Sequence, residues 1–123
     1  MKPAFYVLIV SILLTASIAF SADSISPEDA INHIGNEATV CGTVASTHFS
    51  FRSKGQPTFL NLNRPYPHHI FTALIWTSDR SKFHDIPEKY YKNKRICVSG
   101  SIEQYKGIPE IVVRNPGQMK EMK

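Results

Sequence analysis

The chain has 123 residues, 42% of them hydrophobic and 20% charged, which is enough for one domain and no more. Its 14 lysines and arginines outnumber 10 acidic residues, for a formal net charge of +4. An excess of this size permits contact with a polyanion but does not require it, so charge alone defines no function.

The N-terminus has the composition of an export signal. Lys2 supplies a positive charge, and the apolar run AFYVLIVSILLTASIAF follows. Ala19 and Ser21 are small residues at the two positions that a signal peptidase recognises. Since the apolar run is near the lower length limit for a membrane span, an uncleaved anchor is the alternative. We expect a signal peptide at 1–21 and one mature domain at 22–123. That domain would be exported, periplasmic or secreted, without membrane contact after cleavage.

A short helix is predicted over SPEDAINHIG. Ser26 is a suitable N-cap, Pro27 suits the first helical position, and Asp29 is placed to complete a capping box. Gly35 is placed to end the helix. Strand-like runs follow, with a short helical segment inside 78–92. Because Pro87 breaks this segment, two short helical turns and one longer helix are both consistent with it. The predicted strands lie near 37–47, 58–63, 70–76, 94–102 and 108–114.

The two cysteines lie in strand-like runs, Cys41 in ATVCGTV and Cys97 in KRICVSGSI. Val40 and Ile96 take the opposite parity, so both sulfur atoms should lie on the outer face of a sheet. In an exported chain this predicts a Cys41–Cys97 disulfide if the two strands are neighbours. Two free thiols or a metal-binding pair are the alternatives, which an oxidising compartment and the absence of a CxxC motif disfavour.

The order of predicted elements indicates a fold class. Five strands with a helix between the third and fourth match the OB-fold, a small Greek-key barrel in which strands 1 and 4 are neighbours, as the cysteines require. Gly42 in the first strand suits a barrel corner. An SH3-like barrel competes but needs no helix at that place. We expect an all-β, five-stranded OB-fold Greek-key barrel with a short N-terminal helix and a short helix between strands 3 and 4.

Three stretches resemble a bacterial group of small exported OB-fold domains: VCGTV, KGQPTFLNLNRPYPHHIFTALIW and KRICVSGSIEQYKGIPEIVVRNPGQM. They contain the PTFLNL…PYP…FT and G-x-I-x-x-Y-x-G-x-P-x-I patterns of that group, and the match covers most of residues 37–119. Such domains occur as short exported proteins and as modules appended to secreted nucleases, and they are generally described as nucleic-acid binding. The resemblance therefore implies a binding module.

The usual ligand surface of an OB-fold is the outer face of strands 2 and 3, with the loops joining strands 1–2 and 4–5. Alternation in TFLNLN places Leu60 and Leu62 inside and Phe59, Asn61 and Asn63 outside. Aromatic rings among cations suit single-stranded nucleic acid, because bases stack on rings and Lys or Arg neutralises phosphate. The candidate nucleic-acid-binding residues are Phe49, Phe51, Arg52, Lys54, Phe59, Asn61, Asn63, Arg64, Tyr66, Tyr105 and Lys106.

These residues also have structural interpretations. Phe59 and Tyr66 would pack under the N-terminal helix or the proline-rich loop, and Phe49 and Phe51 would fold back over the open end of the barrel. The asparagine side chains would bind loop backbone, as Asn readily does.

Catalysis has little support in the sequence. No acidic residue occurs between Glu37 and Asp79, so strands 1 to 3 lack carboxylates for metal-dependent phosphodiester hydrolysis, and the binding face should be free of acid. His68 and His69 are adjacent but have no clear third ligand. We expect no catalytic residue, no metal and no cofactor.

The sequence therefore predicts a non-catalytic exported module that binds nucleic acid, either single-stranded or with little sequence preference. With few cations available to neutralise phosphates, binding should be weak and salt-sensitive. An envelope or secreted protein partner and an oligosaccharide are alternative ligands for the same face.

Overall fold

The structure of the protein is a computed structural model that describes residues 23–123, together with Pro3, Ala4 and Ser11. The predicted signal peptide, apart from those three residues, and its cleavage site lie outside the described residues. Within the described part of the chain, none of the helices is long and apolar enough to cross a membrane.

Short strands and a few single-turn helices make up the fold. Two 3₁₀ helices span Pro27–His33 and Pro116–Gln118, and the α-helices are α1 (Thr77–Arg80) and α2 (Pro87–Tyr90). The strands are β1 (Ser24–Ile25), β2 (Glu37–Phe49), β3 (Thr58–Leu62), β4 (Thr72–Ile75), β5 (Arg95–Tyr105), β6 (Ile108–Val112) and β7 (Met119–Glu121). The five predicted strands correspond to β2 to β6, whereas β1 and β7 were not predicted.

The strands form one mixed sheet of seven. The long strand β2 pairs antiparallel with β5 through its first half and with β3 through its second half. β3 pairs antiparallel with β4, β4 parallel with β6, and β6 antiparallel with β5. The pairings of β2, β3, β4, β6 and β5 therefore return to their starting strand, and we refer to these strands as the five-strand ring. β1 and β7 add to β2 and β5 outside it.

The inner face of the five-strand ring holds the hydrophobic core. Leu60 and Leu62 of β3 are fully buried, as the alternation predicts, and they pack with residues from the other strands and from the N-terminal 3₁₀ helix. Burial of this apolar surface is the main force that holds the strands together. The fully buried aliphatic and aromatic core residues include Ala30, Val40, Val44, Phe71, Ile75, Ile96, Val98, Ile102, Ile111 and Val113.

The predicted N-terminal helix is present but is 3₁₀ rather than α. The Ser26 hydroxyl accepts a hydrogen bond from the Asp29 backbone N–H at 3.2 Å, which confirms the N-cap. The capping box predicted for Asp29 is wrong, because its carboxylate instead accepts a hydrogen bond from Asn32 Nδ2 at 2.8 Å and lies 3.1 Å from His33 Nε2.

The predicted helical segment forms two separate helical turns, α1 and α2, of which α2 begins at Pro87, and a side-chain bridge joins them. The guanidinium group of Arg80 donates two hydrogen bonds to the carboxylate of Glu88, at 2.6 and 2.8 Å, and a third at 2.8 Å to the hydroxyl of Thr58 in β3. It also lies 4.0 Å from the ring centroid of Phe49, at the end of β2. Arg80 therefore fastens both helices to the five-strand ring.

The predicted disulfide is confirmed. Cys41 of β2 and Cys97 of β5 lie directly opposite each other in the antiparallel register, with their Cα atoms 4.0 Å apart, and their sulfur atoms are bonded. The disulfide links β2 and β5, whose pairing closes the ring. These are the first and fourth of the predicted strands, which the sequence predicted to be neighbours.

Gly42 lies where two other segments approach β2 closely. A Cβ atom at this position would lie 2.6 Å from Asn63 Oδ1 and 2.7 Å from Pro27 Cγ. We expect Gly42→Ala to lower the free energy of unfolding by about 1 to 3 kcal/mol, because it overpacks this contact. Urea denaturation will measure the change, and Thr43→Ala, which alters an exposed neighbour, is the control. A Gly42→Ala variant as stable as this control would contradict the packing argument.

Candidate nucleic-acid interface

The outward-facing side chains of four strands form the floor of a cleft. Ser46 of β2, Asn61 of β3, Thr72 of β4 and Glu110 of β6 lie opposite one another in successive strands, so they form one row across the sheet. Phe59 lies in the next row, opposite His48 of β2. The volume of the cleft is about 830 Å³.

Two loops and a hairpin supply the remaining lining of this cleft. Tyr66 and His69 come from the loop between β3 and β4, and Ser53 comes from the loop between β2 and β3. Tyr105, Lys106 and Ile108 come from the β5–β6 hairpin. Lys106 and Gly107 both have positive φ, 48° and 79°, which is the geometry of a two-residue hairpin turn that matches the twist of the strands.

Five of the predicted binding residues line the cleft together. Tyr66 and Tyr105 are 73% and 57% exposed, so most of each side chain is available to a ligand. Phe59 is half-buried on the floor, and Lys106 brings a cation beside Tyr105, with its Nζ atom 5.4 Å from the ring centroid. Asn61, the fifth, is buried in the floor.

Asn61 has a different role from the predicted one. Its side chain is 3% exposed; its amide group donates to the Ser46 hydroxyl at 3.0 Å and accepts from the Thr72 hydroxyl at 2.7 Å. The Ser46 hydroxyl in turn accepts a hydrogen bond from the backbone N–H of Tyr66 at 3.0 Å. Asn61 therefore holds the loop that carries Tyr66 in place instead of presenting its amide to bases.

Two predicted residues point away from the cleft. The ring of Phe49 packs against the Arg80 guanidinium group, as the structural interpretation anticipated in part. Asn63 lies beyond the end of β3 with φ of 68°, and its side chain accepts from the Thr43 backbone N–H at 3.0 Å and donates to Glu28. Asn is one of the few residues that tolerates this backbone conformation, which explains its place in the turn.

The other four predicted residues lie in the loops beside the cleft. Phe51 is 60% exposed, and the guanidinium carbon of Arg52 lies 5.5 Å from its ring centroid. Ser53, which lines the cleft, lies between Arg52 and Lys54, and Arg64 precedes the cleft residue Tyr66 by two positions. We refer to the exposed side chains of Arg52, Lys54 and Arg64 as the rim cations.

Two aromatic rings of the cleft are stacked. The rings of Tyr66 and His69 have centroids 5.5 Å apart and planes inclined by 25°. The Nδ1 atom of His69 is buried, and no hydrogen-bond partner for it occurs in the described chain.

The expectation of an acid-free face is wrong. β6 pairs with β4, which places Glu110 in the cleft floor beside Thr72. Burial raises the pKa of the Glu110 carboxyl above its ordinary value, and the neighbouring charge of Glu103 raises it further. Sequence reasoning missed Glu110 because the prediction considered acidic residues only in the first three strands. It also missed the cleft histidines His48 and His69 as binding residues, since it considered His69 only as a possible metal ligand.

A second cavity, of about 360 Å³, lies on another side of the molecule. Glu37, Ser99, Arg114 and Gln118 are among the side chains that line it. The Gln118 amide is already engaged, since it accepts from the Arg114 backbone N–H at 2.7 Å and donates to the Ser99 carbonyl at 3.0 Å. The larger cleft, with its exposed rings, is therefore the stronger candidate site.

No metal-binding cluster occurs in the part of the chain that the structure describes. Among those residues, no group of three or more His, Cys, Asp or Glu side chains is arranged to hold a metal ion.

Comparison with solved structures shows the fold. An asparaginyl-tRNA synthetase from Pyrococcus horikoshii aligns with 83% of this chain at 12% identity and a TM-score of 0.53. A protein described as an aspartyl-tRNA synthetase from Leishmania major Friedlin aligns with 88% at 12% identity and a TM-score of 0.50. The OBody AM1L10, solved bound to hen egg-white lysozyme, aligns with 74% at 17% identity and a TM-score of 0.50.

At these identities the likeness establishes the OB-fold β structure of the chain and nothing about its activity. The alignment spans 23% and 22% of the two synthetase chains, and 83% of the OBody chain. No family model and no curated protein matches this chain.

Proposed function

We propose that the protein is an exported, non-catalytic OB-fold module that binds single-stranded nucleic acid in the cleft, and that its five-strand ring is the closed Greek-key barrel of that fold. The cyclic order of strand pairing supports the barrel. The disulfide supports export, because such bonds persist in oxidising compartments.

The observation that carries the proposal is a cleft lined by aromatic rings with cations in the loops beside it. Tyr66, Tyr105 and Phe59 line the cleft, whereas the rim cations lie in its flanking loops. Single-stranded nucleic acid has the matching arrangement, with flat bases on one side and phosphates on the other. Each base stacked on a ring contributes about 1 to 3 kcal/mol to binding, and the rim cations neutralise phosphate.

The acid in the cleft favours the same orientation. The Glu110 carboxylate would repel a phosphate group placed on the floor of the cleft. Among the described residues that line the cleft, the one lysine or arginine is Lys106. Bases therefore enter the cleft and the backbone stays at the rim. Two of the solved structures of similar fold are described as tRNA synthetases, which agrees with a nucleic-acid ligand.

A protein partner is the second candidate. The OBody of similar fold was solved bound to a protein, lysozyme, and exposed aromatic side chains such as Phe51, Tyr66 and Tyr105 also suit protein interfaces. Such a partner would depend on the rings and little on the rim cations, whereas nucleic acid depends on both.

Titration of a fluorescent oligothymidylate at several salt concentrations tests the proposed function. We expect the triple variant R52Q/K54Q/R64Q, which removes the three rim cations, to reduce the slope of log affinity against log salt by about 2, since each lost phosphate contact on a single strand contributes about 0.7. The matched control K89Q/K92Q/K120Q removes the same charge from exposed lysines on α2, the turn after it and β7.

An equal reduction in both triple variants would show that only net charge matters and would contradict the proposed site. Failure of the wild-type protein to bind oligothymidylate even at low salt would instead favour an oligosaccharide or protein ligand.

A further inference from the structure

We propose that Glu110 makes the cleft select guanine: its carboxylate accepts hydrogen bonds from the N1–H and N2 amino groups of a guanine base stacked on the cleft's aromatic rings. This inference rests on the proposed function, because it assumes that bases enter the cleft.

The register of β5 and β6 places a ring and the carboxylate at the right spacing for one base. Glu110 lies directly opposite Glu103, and Tyr105 lies opposite Ile108 in the same antiparallel pair. Tyr105 is thus the diagonal neighbour of Glu110, at about 7 to 8 Å, a distance that aromatic and long side chains span. A base that stacks on the Tyr105 ring can extend its edge to the Glu110 carboxylate.

The Glu110 carboxylate lacks a partner within the protein. Burial and the charge of Glu103 both raise the pKa of this carboxyl. Among the described residues, no cation pairs with it and no group donates a hydrogen bond to it. Glu110 is half-buried, and its oxygen atoms are not among the buried atoms that lack a partner, so water reaches them. A base that enters the cleft can replace this water with its own hydrogen-bond donors.

A second polar atom in the same cleft is also without a partner. The buried Nδ1 atom of His69 has none in the described chain, and the His69 ring is stacked against Tyr66. Two unpartnered polar groups and three aromatic rings in one cleft fit a ligand that is both flat and rich in hydrogen-bonding groups, as a nucleobase is.

The choice among bases follows from hydrogen-bond chemistry. An ionised carboxylate only accepts, and it accepts best from two adjacent donors. Guanine presents two adjacent N–H donors on its Watson–Crick edge. Adenine and cytosine place a ring acceptor beside their amino group, and thymine and uracil flank one N–H with two carbonyl oxygens, so each would bring an oxygen or nitrogen lone pair toward the carboxylate.

The test compares three labelled strands of equal length: oligothymidylate, the same strand with spaced guanines, and the same strand with inosine at those positions. Inosine keeps N1–H but lacks the amino group. We expect the guanine strand to bind about tenfold tighter than oligothymidylate, with the inosine strand between them. Spacing the guanines prevents them from associating with one another.

Two variants assign the preference to Glu110. Glu110→Gln replaces one acceptor oxygen by a donor, so it should bind the guanine, inosine and oligothymidylate strands alike. Glu103→Gln removes the neighbouring charge from an exposed position outside the cleft lining, and it should keep the guanine preference.

The outcomes separate this inference from the function on which it rests. Equal, salt-sensitive binding of all three strands by the wild-type protein would overturn guanine selection and leave nucleic-acid binding in place. A guanine preference that survives in Glu110→Gln would also overturn the role of Glu110. Failure of the wild-type protein to bind any strand would contradict the proposed function itself.

Discussion

Replacing both Cys41 and Cys97 with serine is expected to lower the Tm by on the order of 15 °C. The two cysteines are 56 residues apart in the chain, and closing a loop of that length stabilises a protein by about 4 kcal/mol in the chain-entropy model. In a domain of this size that is a large part of the net stability. Thermal unfolding followed by circular dichroism will measure the shift.

Reduction provides the control for the disulfide prediction. A reducing agent should lower the Tm of the wild-type protein to a similar extent and should leave the double serine variant unchanged. If reduced and oxidised wild-type protein melt at the same temperature, the disulfide does not contribute to stability.

Replacing Arg80 with methionine is expected to lower the free energy of unfolding by about 3 kcal/mol. Methionine keeps the apolar stem of the side chain but removes both hydrogen bonds to Glu88, the bond to Thr58 and the cation above Phe49. The Glu88 carboxylate, whose side chain is 17% exposed, would then remain mostly buried without its partner. Urea denaturation at pH 7 will measure the loss.

Lys82→Met is the matched control for Arg80→Met. Lys82 pairs with Asp79 at 2.8 Å, but its side chain is 52% exposed, so its removal should cost less than about 1 kcal/mol. Equal losses in the two variants would show that Arg80 is an ordinary surface charge.

The pH dependence of this difference has a definite sign. Burial opposes ionisation of Glu88, but the hydrogen bonds and the charge of Arg80 outweigh it and lower the pKa of the carboxyl below its ordinary value of 4.5. A lowered pKa in the folded state adds stability that is present above pH 4.5 and is lost as the pH falls through the lowered value. The stability difference between wild type and Arg80→Met should therefore be full at pH 7 and shrink in acid.

Local patterns were sufficient to predict the five strands of the ring and the directions of some of their side chains. Alternation predicted the inward direction of Leu60 and Leu62, and opposite parity beside Cys41 and Cys97 indicated two outward sulfur atoms, while the OB-fold element order made their strands neighbours. These features depend on residues close together in the chain, which is why the sequence reveals them.

The identity of the side chains free to bind depends on distant contacts. Asn61 is occupied by Ser46 and Thr72, and Phe49 by Arg80, through strands and helices far away in sequence. Glu110 lies in the cleft because β6 pairs parallel with β4, and no local sequence pattern predicts that pairing. β1 has two residues and β7 three, too few to show any periodicity.

Nuclear magnetic resonance mapping of the bound protein tests most directly whether bases occupy the cleft. A short single strand added to the isotope-labelled protein should shift the amide signals of Phe59, Tyr66, Tyr105, Lys106 and Glu110, and should leave those of Ser99, Arg114 and Gln118 at the second cavity unchanged. Shifts concentrated at the second cavity, or signals that do not move at low salt, would contradict the account.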